Sequence, residues 1–440
     1  MIRKGTVRTI GRHADAVATL LRPTLARLTS AAPDPSCLEA RSLSDLAAAA
    51  GAGAHRRLGT RIVAPRPLPA FDNSQMDGFA VRAGDAGRVV TVAAPVPAGH
   101  VPAPLAPGTA APIMTGAPIP EGADAVFPVE RTEVGAFPAA LGLDRVRVPD
   151  DVVAGAFVRP TGSDLPPGAV VAEAGALVTP ALLGALAAVG IDRVDVVRRL
   201  RVLVVSTGSE LAPAHDTDAN DPDTGDPGTD RPDTGTAGAA IGDANGVALV
   251  AALAEVGAEA RTVVVPDDET AFTAGVTAGV GDWADVVLTT GGISAGAYEV
   301  VRQALGPRGL VVTPVAMQPG GPQALGSVRF GERTVPVVSF PGNPVSALVS
   351  FEVFLRPVLA PLVGLPAGRP TAVLPSAEAA TSPATKHQVR RGRVEDGRVH
   401  LVGGPSSHLL AHYAAATHLV HVPVGTDTVA PGDPLTVWSL

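Results

Sequence analysis

The pattern of apolar residues divides the second half of the chain into alternating strands and helices. Residues 201–206 (RVLVVS) form an apolar run typical of a strand covered on both faces of a parallel sheet. Asp243 is predicted to cap a helix that runs to about residue 256, where Gly257 ends it, and residues 262–265 form the next strand. Further strands are predicted at 285–289 and 335–339, and further helices at 269–280, 295–305 and 343–363. This alternation predicts a doubly wound α/β domain.

The remaining parts of the chain have other patterns. Residues 14–28 are predicted to be helical, whereas residues 63–148 are rich in Pro and Gly and strand-like, which predicts a β-rich lobe. Residues 155–197 contain one clear helix, at 180–189, between extended segments. Short β-rich runs return from about residue 369, with an Asp396-Gly397 hairpin signal. We therefore expect a small β domain at the C-terminal end.

Composition and charge narrow the functional classes. At 440 residues the chain exceeds what one core usually supports, so about three domains are expected. The net charge of −8 argues against a nucleic-acid partner. Cys37 is the only cysteine, which excludes an internal disulfide and fits a reducing compartment. The most apolar window, 168–191, contains Glu173 and a Thr179-Pro180 helix start, so it predicts strand and helix rather than a membrane span. A cytoplasmic protein is expected.

An acidic segment interrupts the α/β domain. Residues 213–235 carry repeated Asp among Pro, Gly and Thr, with almost nothing apolar. Such a composition cannot offset the entropy of ordering, so a disordered surface insertion is predicted at 213–240.

Three loops rich in Gly, Ser and Thr follow predicted strands of the α/β domain. They are residues 206–210 (STGSE), 289–296 (TTGGISAG) and 340–346 (FPGNPVS). In a doubly wound sheet, ligands lie past the carboxyl ends of the strands. Glycine lets backbone N–H groups approach an anion, and a following helix start adds a favourable dipole. Each loop alone could be a tight connection, but together they predict a cradle for a phosphorylated or nucleotide-like ligand. A Walker A lysine motif and a G-x-G-x-x-G after the first strand are both missing from the sequence, which argues against a P-loop enzyme and a Rossmann dehydrogenase.

Acidic residues are predicted near the same rim of the sheet. Glu210 follows the first loop, Asp243 starts a helix, Asp267 and Asp268 follow a strand, and Glu299 follows the second loop. Carboxylates beside a phosphate cradle would repel the ligand unless a hard cation such as Mg²⁺ lies between them. The alternative is that Asp243 is only a helix cap and Glu299 a solvated helix residue.

Five ordered motifs resemble the molybdopterin molybdenumtransferase family, which includes MoeA and the gephyrin E domain. The motifs are PAFDNSQMDGFAV (69–81), PIMTGAPIPEGADAV (112–126), STGSEL (206–211), TTGGISAG (289–296) and FPGNPVSA (340–347). The resemblance covers about residues 60–440, apart from the acidic insertion. The first sixty residues match only as generic helical sequence.

The resemblance implies a multidomain α/β protein built around a central molybdopterin-binding-like domain. The expected segments are an N-terminal helical segment with part of an elongated linker domain (1–62), a β-rich inserted lobe (63–148), the rest of the linker domain (149–198), the central α/β domain (199–364) and a small β domain (365–440). It also implies a homodimer whose site lies between the central domain of one subunit and the inserted lobe of its partner. The molybdopterin adenylyltransferase is a further expected partner, and nucleic acid and membrane are not.

The resemblance implies a Mg²⁺-dependent reaction in which molybdate is inserted into adenylylated molybdopterin and AMP leaves. By motif match the catalytic positions are Asp77, Thr115, Glu210, Asp268 and Glu299. Glu210, Asp268 and Glu299, with Asp243, are the expected metal ligands. The expected positions for binding the cofactor are Ser206, Thr207, Gly208, Gly291, Gly292, Ser294, Gly296, Pro319, Pro322, Pro341, Gly342, Asn343, Ser346 and Arg391. From the residues alone, Asp77 and Thr115 would be turn residues before Gly78 and Gly116.

The sequence departs from the family at an expected oxyanion contact. Where the family usually has a K-P-G-K-P-type run, this chain has Gln318, Pro319, Gly320, Gly321 and Pro322, so two lysines are missing. The second loop also has Ala297 where the family often has an acid, and Glu299 where it often has Asp.

These departures leave two cationic candidates for the oxyanion contact and three functional alternatives open. Arg391 is the best remaining candidate to contact molybdate, with Ser346 and Lys386 nearby by motif. The alternatives are a non-catalytic scaffold, a paralogue that handles tungstate, and a molybdopterin adenylyltransferase. The inserted lobe and the β domain argue against the last, because that enzyme resembles the central domain only.

Overall fold

The computed structural model describes residues 7–30, 32–49, 55–208, 211, 241–294 and 299–440. Within them the chain forms two compact units: unit 1 contains residues 1–39, 49–57 and 197–440, and unit 2 contains residues 40–48 and 58–196. The predicted acidic insertion at 213–240 lies outside the described residues. Glu210 and Gly296 also lie outside them.

The N-terminal segment contributes to both units. Its elements are helix α1 (Ile10–Thr29), strand β1 (Leu38–Ser42) and helix α2 (Leu43–Ala49). Helix α1 begins at Thr9, whose hydroxyl accepts the Arg12 N–H, and it buries Val17 and Leu21 in the same core cluster as Val202 of the central sheet. The helix predicted at 14–28 is therefore confirmed and is longer than expected. Its apolar face holds it against unit 1.

Unit 2 is rich in short strands. They are β2 (Ile62–Val63), β3 (Asn73–Ser74), β4 (Gly78–Val81), β5 (Val89–Val92), β6 (Thr109–Ile113), β7 (Ala125–Pro128), β8 (Arg145–Arg147), β9 (Val158–Arg159), β10 (Val170–Ala172) and β11 (Arg193–Val197), with helices α3 (Phe137–Ala140) and α4 (Pro180–Ala188). Five strands form a sheet in the order β7-β4-β6-β5-β8, over which Phe79 and Phe127 stack with ring centres 5.4 Å apart. Gly78 is required there, because a Cβ would lie 2.1 Å from the Phe127 carbonyl oxygen.

A six-stranded sheet forms the centre of unit 1. Its strands are β12 (Arg201–Thr207), β13 (Glu259–Val265), β14 (Val286–Thr290), β15 (Val311–Pro314), β17 (Pro322–Phe330) and β18 (Arg333–Phe340), and a short strand β16 (Met317–Gln318) lies between β15 and β17 in sequence. The order is β13-β12-β14-β18-β17-β15, with parallel pairing from β13 to β18 and antiparallel pairing of β17 with both its neighbours. The predicted parallel α/β sheet is confirmed. The antiparallel edge was not predicted.

Helices α5 (Ala244–Glu255), α6 (Glu269–Val280) and α7 (Val300–Leu305) follow three of these strands. Asp243 and Asp268 cap α5 and α6 by accepting the N–H groups of Gly246 and Ala271. Helix α7 is shorter than the helix predicted at 295–305, and residues 295–298 lie outside the described residues. Capping by short acidic side chains therefore fixes where two of the helices start.

The helix predicted at 343–363 is observed as one uninterrupted helical run, but its hydrogen-bonding type changes along the run. It consists of α8 (Pro344–Ser350), a π-helical segment (Phe351–Leu355), α9 (Arg356–Leu359) and a 3₁₀ turn (Ala360–Val363). Pro357 has no N–H for the bond to residue 353, and the Arg356 N–H instead reaches the Phe351 carbonyl, five residues back. Among the described helices, only this run is long and apolar enough to cross a membrane, and its most apolar window is 72% buried inside the protein. It is therefore a core helix.

The C-terminal part of unit 1 is a small β domain, as predicted. Its elements are β19 (Thr371–Pro375), β20 (Ala380–Thr381), β21 (His387–Glu395), β22 (Arg398–Leu401), α10 (Leu410–Ala414), β23 (His418–Val422), β24 (Thr428–Val429) and β25 (Pro434–Ser439). The sheet runs β16-β21-β23-β25-β19, with β22 paired to β21. Strand β16 joins this sheet in parallel register, with Gln318 opposite Gln388. The central and C-terminal domains thus share a sheet.

Candidate functional site

A cleft of about 370 Å³ opens at the carboxyl ends of β14 and β18. The loop after β14 and the start of α8 form one side, and residues of β16 and the following turn form another. The third side is the loop 405–407 of the C-terminal domain. The lining residues are Gly291, Gly292, Ile293, Ser294, Gln318, Pro319, Gly320, Pro322, Pro341, Gly342, Asn343, Ser346, Pro405, Ser406 and Ser407.

Nine residues expected to bind the cofactor meet in this cleft. They are Gly291, Gly292, Ser294, Pro319, Pro322, Pro341, Gly342, Asn343 and Ser346. Pro405, Ser406 and Ser407 also line it and were missed by sequence reasoning. They lie more than fifty residues beyond the last glycine-rich loop, and only the shared sheet brings them close. An S-S pair in a β domain carries no signal of its own.

Glycine is needed where the two strand-end loops approach each other. Gly291 has a φ of +86°, and a Cβ on Gly342 would lie 3.1 Å from the Gly291 Cα atom. The Asn245 side chain donates to the Gly342 carbonyl oxygen at 2.6 Å and so holds this loop from the side of α5. Because neither residue has a side chain, the two backbone segments can come this close, and the Gly291 N–H donates to the Phe340 carbonyl oxygen at 3.1 Å.

The first predicted loop contributes differently. The Ser206 hydroxyl donates to Asp243 at 2.8 Å, and the Thr207 hydroxyl donates to the Thr290 carbonyl oxygen at 3.4 Å. Ser206, Thr207 and Gly208 do not line the cleft. Within the described residues, the two hydroxyls therefore position the start of α5 and the end of β14.

The acidic residues in the described part of the chain make different local contacts. Asp243 and Asp268 are helix caps, whereas Glu299 is only 8% exposed and accepts the Ser294 N–H at 2.8 Å. The predicted cap at Asp243 is thus confirmed, its role as a metal ligand stays a prediction, and the solvated alternative for Glu299 is wrong. No group of three or more His, Cys, Asp or Glu among the described residues is arranged to hold a metal ion. Because Glu210 lies outside these residues, the metal site stays a prediction.

The structure corrects the expected contact of Arg391. This side chain is 1% exposed, and its Nη1 and Nη2 atoms donate to the carbonyl oxygens of Ser406 and Gly404. Burial lowers the pKa of the guanidinium, and the neighbouring Arg390 lowers that pKa further. Arg391 does not line the cleft. It holds the loop that does, because both of its Nη atoms donate to backbone carbonyl oxygens of that loop.

A second cleft of about 570 Å³ adjoins the first and shares Ile293, Ser294 and Pro322 with it. Gly321 lines this second cleft together with Arg302 and the exposed Lys386. The Arg302 guanidinium donates to the Ser294 carbonyl oxygen at 2.9 Å. Two cationic side chains thus lie on the side where the family's second lysine is missing.

In unit 2, Asp77 and Thr115 form one hydrogen-bonded pair. The Thr115 N–H and hydroxyl both donate to Asp77 Oδ1 at 2.7 Å. Asp72 and Thr161 repeat the same arrangement at 2.6 and 2.7 Å, and these bonds lower the pKa of Asp72. Sequence reasoning considered Asp77 and Thr115 separately and missed their pairing, because the two positions are 38 residues apart in sequence. The pairing leaves one carboxylate oxygen of Asp77 outside these two bonds.

Comparisons with known proteins agree with this architecture. The chain matches the family models "MoeA N-terminal region (domain I and II)" over residues 16–190 and "Probable molybdopterin binding domain" over residues 203–361. It is 40% identical over 401 residues to molybdopterin molybdenumtransferase 2 of Mycobacterium tuberculosis, which covers 87% of this chain and 92% of the relative. It is 32% identical to the molybdopterin molybdenumtransferase of Synechococcus elongatus, over 88% and 92% of the two chains. A solved molybdopterin biosynthesis MoeA protein from Pyrococcus horikoshii superimposes with a TM-score of 0.70 at 25% identity, covering 99% of both chains.

Proposed function

The chain belongs to the MoeA family of molybdopterin molybdenumtransferases, and we propose that it inserts molybdenum from molybdate into adenylylated molybdopterin with release of AMP. This is the final step of molybdenum cofactor biosynthesis. The observation that carries the proposal is the cleft at the ends of β14 and β18, where nine residues of the family motifs meet. We place the reaction in the cytoplasm.

The cleft has the chemistry that two anionic substrates need. Gly292 and Ile293 offer backbone N–H groups on the loop after β14, and the start of α8 adds a favourable dipole for phosphate oxygens. Ser346 of α8 and Ser406 of the loop 405–407 add hydroxyl groups. Lys386 and Arg302, which line the adjoining cleft, provide positive charge beside it. These groups would bind and orient the substrates so that the adenylyl phosphate can leave as AMP.

In this proposal Mg²⁺ is held by Glu210, Asp268 and Glu299. Glu299 supports the assignment, because its carboxylate lies against the cradle, where it accepts the Ser294 N–H, and carboxylate oxygens are preferred Mg²⁺ ligands. Asp243 is the weakest of the expected ligands, since one of its oxygens accepts from both Ser206 and Gly246. Bound Mg²⁺ would neutralise the phosphate oxygens of the substrate.

The pair of Asp77 and Thr115 is proposed to act across a homodimer, on the central domain of the partner subunit. Support comes from the exposure of the pair and from the two hydrogen bonds that hold the carboxylate. A second partner in this proposal is the molybdopterin adenylyltransferase, whose product is the substrate of this reaction.

The test is to mix the purified protein with adenylylated molybdopterin, molybdate and Mg²⁺ and to follow AMP. Release of AMP that depends on molybdate is expected. A protein that binds the adenylylated pterin but releases no AMP would be a scaffold, and one that consumes ATP and molybdopterin would be an adenylyltransferase. Replacement of molybdate by tungstate in the same assay distinguishes the two oxyanions.

A further inference from the structure

Gln318 is the residue of the cleft that stands where the family usually has a cation, and its side chain is held by a neighbour. It lies on β16, opposite Gln388 of β21 in the parallel pairing of these strands. The Gln388 Nε2 atom donates to Gln318 Oε1 at 2.8 Å. Gln388 is 2% exposed, so this contact is shielded from water, whereas Gln318 faces the cleft.

The direction of this hydrogen bond is set by an arginine on the far side of Gln388. Arg390 Nη1 lies 3.5 Å from Gln388 Oε1, and its Nη2 donates to the Gly403 carbonyl oxygen at 3.0 Å. The distance of 3.5 Å is long for a hydrogen bond. The orientation of the Gln388 amide is nevertheless determined, because a guanidinium has only donors and therefore faces an amide oxygen rather than an amide NH₂ group.

The orientation of the Gln388 amide then determines the orientation of the Gln318 amide. Since Gln388 turns its oxygen to Arg390, its NH₂ group faces Gln318. Gln318 must therefore accept this hydrogen bond with its own oxygen. Its Nε2 atom, with two N–H donors, is then left for the cleft. Among the described residues, none accepts a hydrogen bond from that nitrogen.

We propose that Arg390, Gln388 and Gln318 form a relay that presents a fixed, polarised amide donor to a tetrahedral oxyanion, such as molybdate, in the cleft. The inference rests on the proposed function and identifies residues that determine how the oxyanion is bound. Gln318 is the group that touches the oxyanion, and Gln388 and Arg390 are positioning residues. Hydrogen bonds in such a chain polarise one another, so the buried charge of Arg390 strengthens the terminal donor without entering the cleft.

The structure favours this role over simple packing. Gln388 is a buried amide whose two ends meet one donor and one acceptor, and an apolar residue of similar size would fill the same volume without that cost. The adjacent Arg390 is 7% exposed, its Nε atom has no partner among the described residues, and burial lowers the pKa of its guanidinium. Burial of this charge is costly, and Glu378 offsets part of the effect by raising the pKa of Arg390.

The test is a double-mutant cycle on molybdate binding, measured by titration calorimetry of the full chain with molybdate alone. In Gln388→Glu the side chain has acceptors only, so Gln318 must turn its NH₂ group inward and its oxygen to the cleft. Gln318→Met removes the donor. Each single variant should raise the dissociation constant about tenfold, the loss expected for one hydrogen bond to a charged ligand. The double variant should be no weaker than Gln318→Met alone, because Gln388 acts only through Gln318.

A matched control and a second variant keep the test sharp. Gln303→Glu makes the same chemical change at an exposed position of α7 and should leave molybdate binding unchanged. Gln388→Met keeps the side-chain volume and introduces no charge, so it replaces Gln388→Glu if that variant does not fold. It should weaken molybdate binding severalfold. Unchanged binding in both Gln388 variants, or losses that multiply in the double variant, would overturn the relay.

The relay and the proposed function can fail separately. If the wild type binds molybdate in a Gln388-dependent way but releases no AMP, the function is wrong and the relay stands. If the wild type releases AMP but Gln318→Met binds molybdate equally well, the relay is wrong and the function stands. In turnover, Gln388→Glu should raise the half-saturating molybdate concentration and leave kcat at saturation unchanged, which a general loss of structure would not do.

Discussion

Replacing Arg391 by Met separates two roles for this residue that make different predictions. If the guanidinium contacted molybdate, the variant would lose oxyanion affinity and keep its local stability. In the structure the group instead donates to the carbonyl oxygens of Gly404 and Ser406 and is 1% exposed. Its loss should therefore loosen the loop 403–407, and molybdate binding should weaken as a consequence.

The size of the effect follows from two opposing contributions. Hydrogen bonds from a charged donor contribute about 1.5–3 kcal/mol each, but a buried arginine also costs free energy of desolvation, which Met avoids. The net loss in the local opening free energy of the loop is then about 1–3 kcal/mol. Amide exchange of residues 403–407 should accelerate by a factor between about 5 and about 150, because about 1.4 kcal/mol corresponds to a factor of ten.

Hydrogen–deuterium exchange read by peptide is the suitable assay. Arg391→Lys is the matched control for charge, since it keeps a cation but cannot reach both carbonyls in the same geometry, and it should also accelerate exchange. Exchange at 403–407 that is unchanged in both variants, together with a large loss of molybdate affinity in Arg391→Met, would refute the structural role and restore a direct contact.

Three further predictions concern the metal, the dimer and the missing lysine. Glu299→Gln should lower AMP release at least about tenfold and shift the Mg²⁺ requirement upward, and equal Mg²⁺ titrations of variant and wild type would contradict the assignment. Mixed chains carrying Asp77→Ala and Glu299→Ala should recover part of the activity if sites are shared between subunits, whereas a protein that sediments as a monomer would exclude this. Gly321→Lys should lower the half-saturating molybdate concentration by about tenfold, because it adds one charge-assisted contact, and an unchanged value would show that Lys386 or Arg302 already provides it.

The α/β core was predictable because its strands are apolar runs and its helices carry caps. The helix 269–280 was predicted at its observed bounds, and Asp243 caps α5 as expected. The antiparallel strands β15 and β17 were missed, since they lie between the predicted helix 295–305 and the predicted strand 335–339 without a turn signal as clear as Asp396-Gly397. Local patterns identify elements. They do not identify which sheet an edge strand joins.

The site was predictable only where a motif and a strand end coincide. Gly291 and Gly342 lie beside each other because parallel strands end at the same edge of the sheet. The loop 405–407 could not be predicted, because it reaches the cleft through the pairing of β16 with β21, which joins two domains. Arg391 was misjudged for the same reason, since a buried arginine that binds backbone carbonyls has the same sequence signature as one that binds an oxyanion.

The most direct test of the proposed function is the stoichiometry of a single turnover. Purified protein is loaded with adenylylated molybdopterin, mixed with molybdate and Mg²⁺, and analysed for AMP and for molybdenum bound to the pterin. The proposal predicts one AMP released for each molybdenum incorporated, with both products absent when molybdate is left out. Release of AMP without incorporation of molybdenum, or retention of the adenylylated pterin at every molybdate concentration, would contradict it.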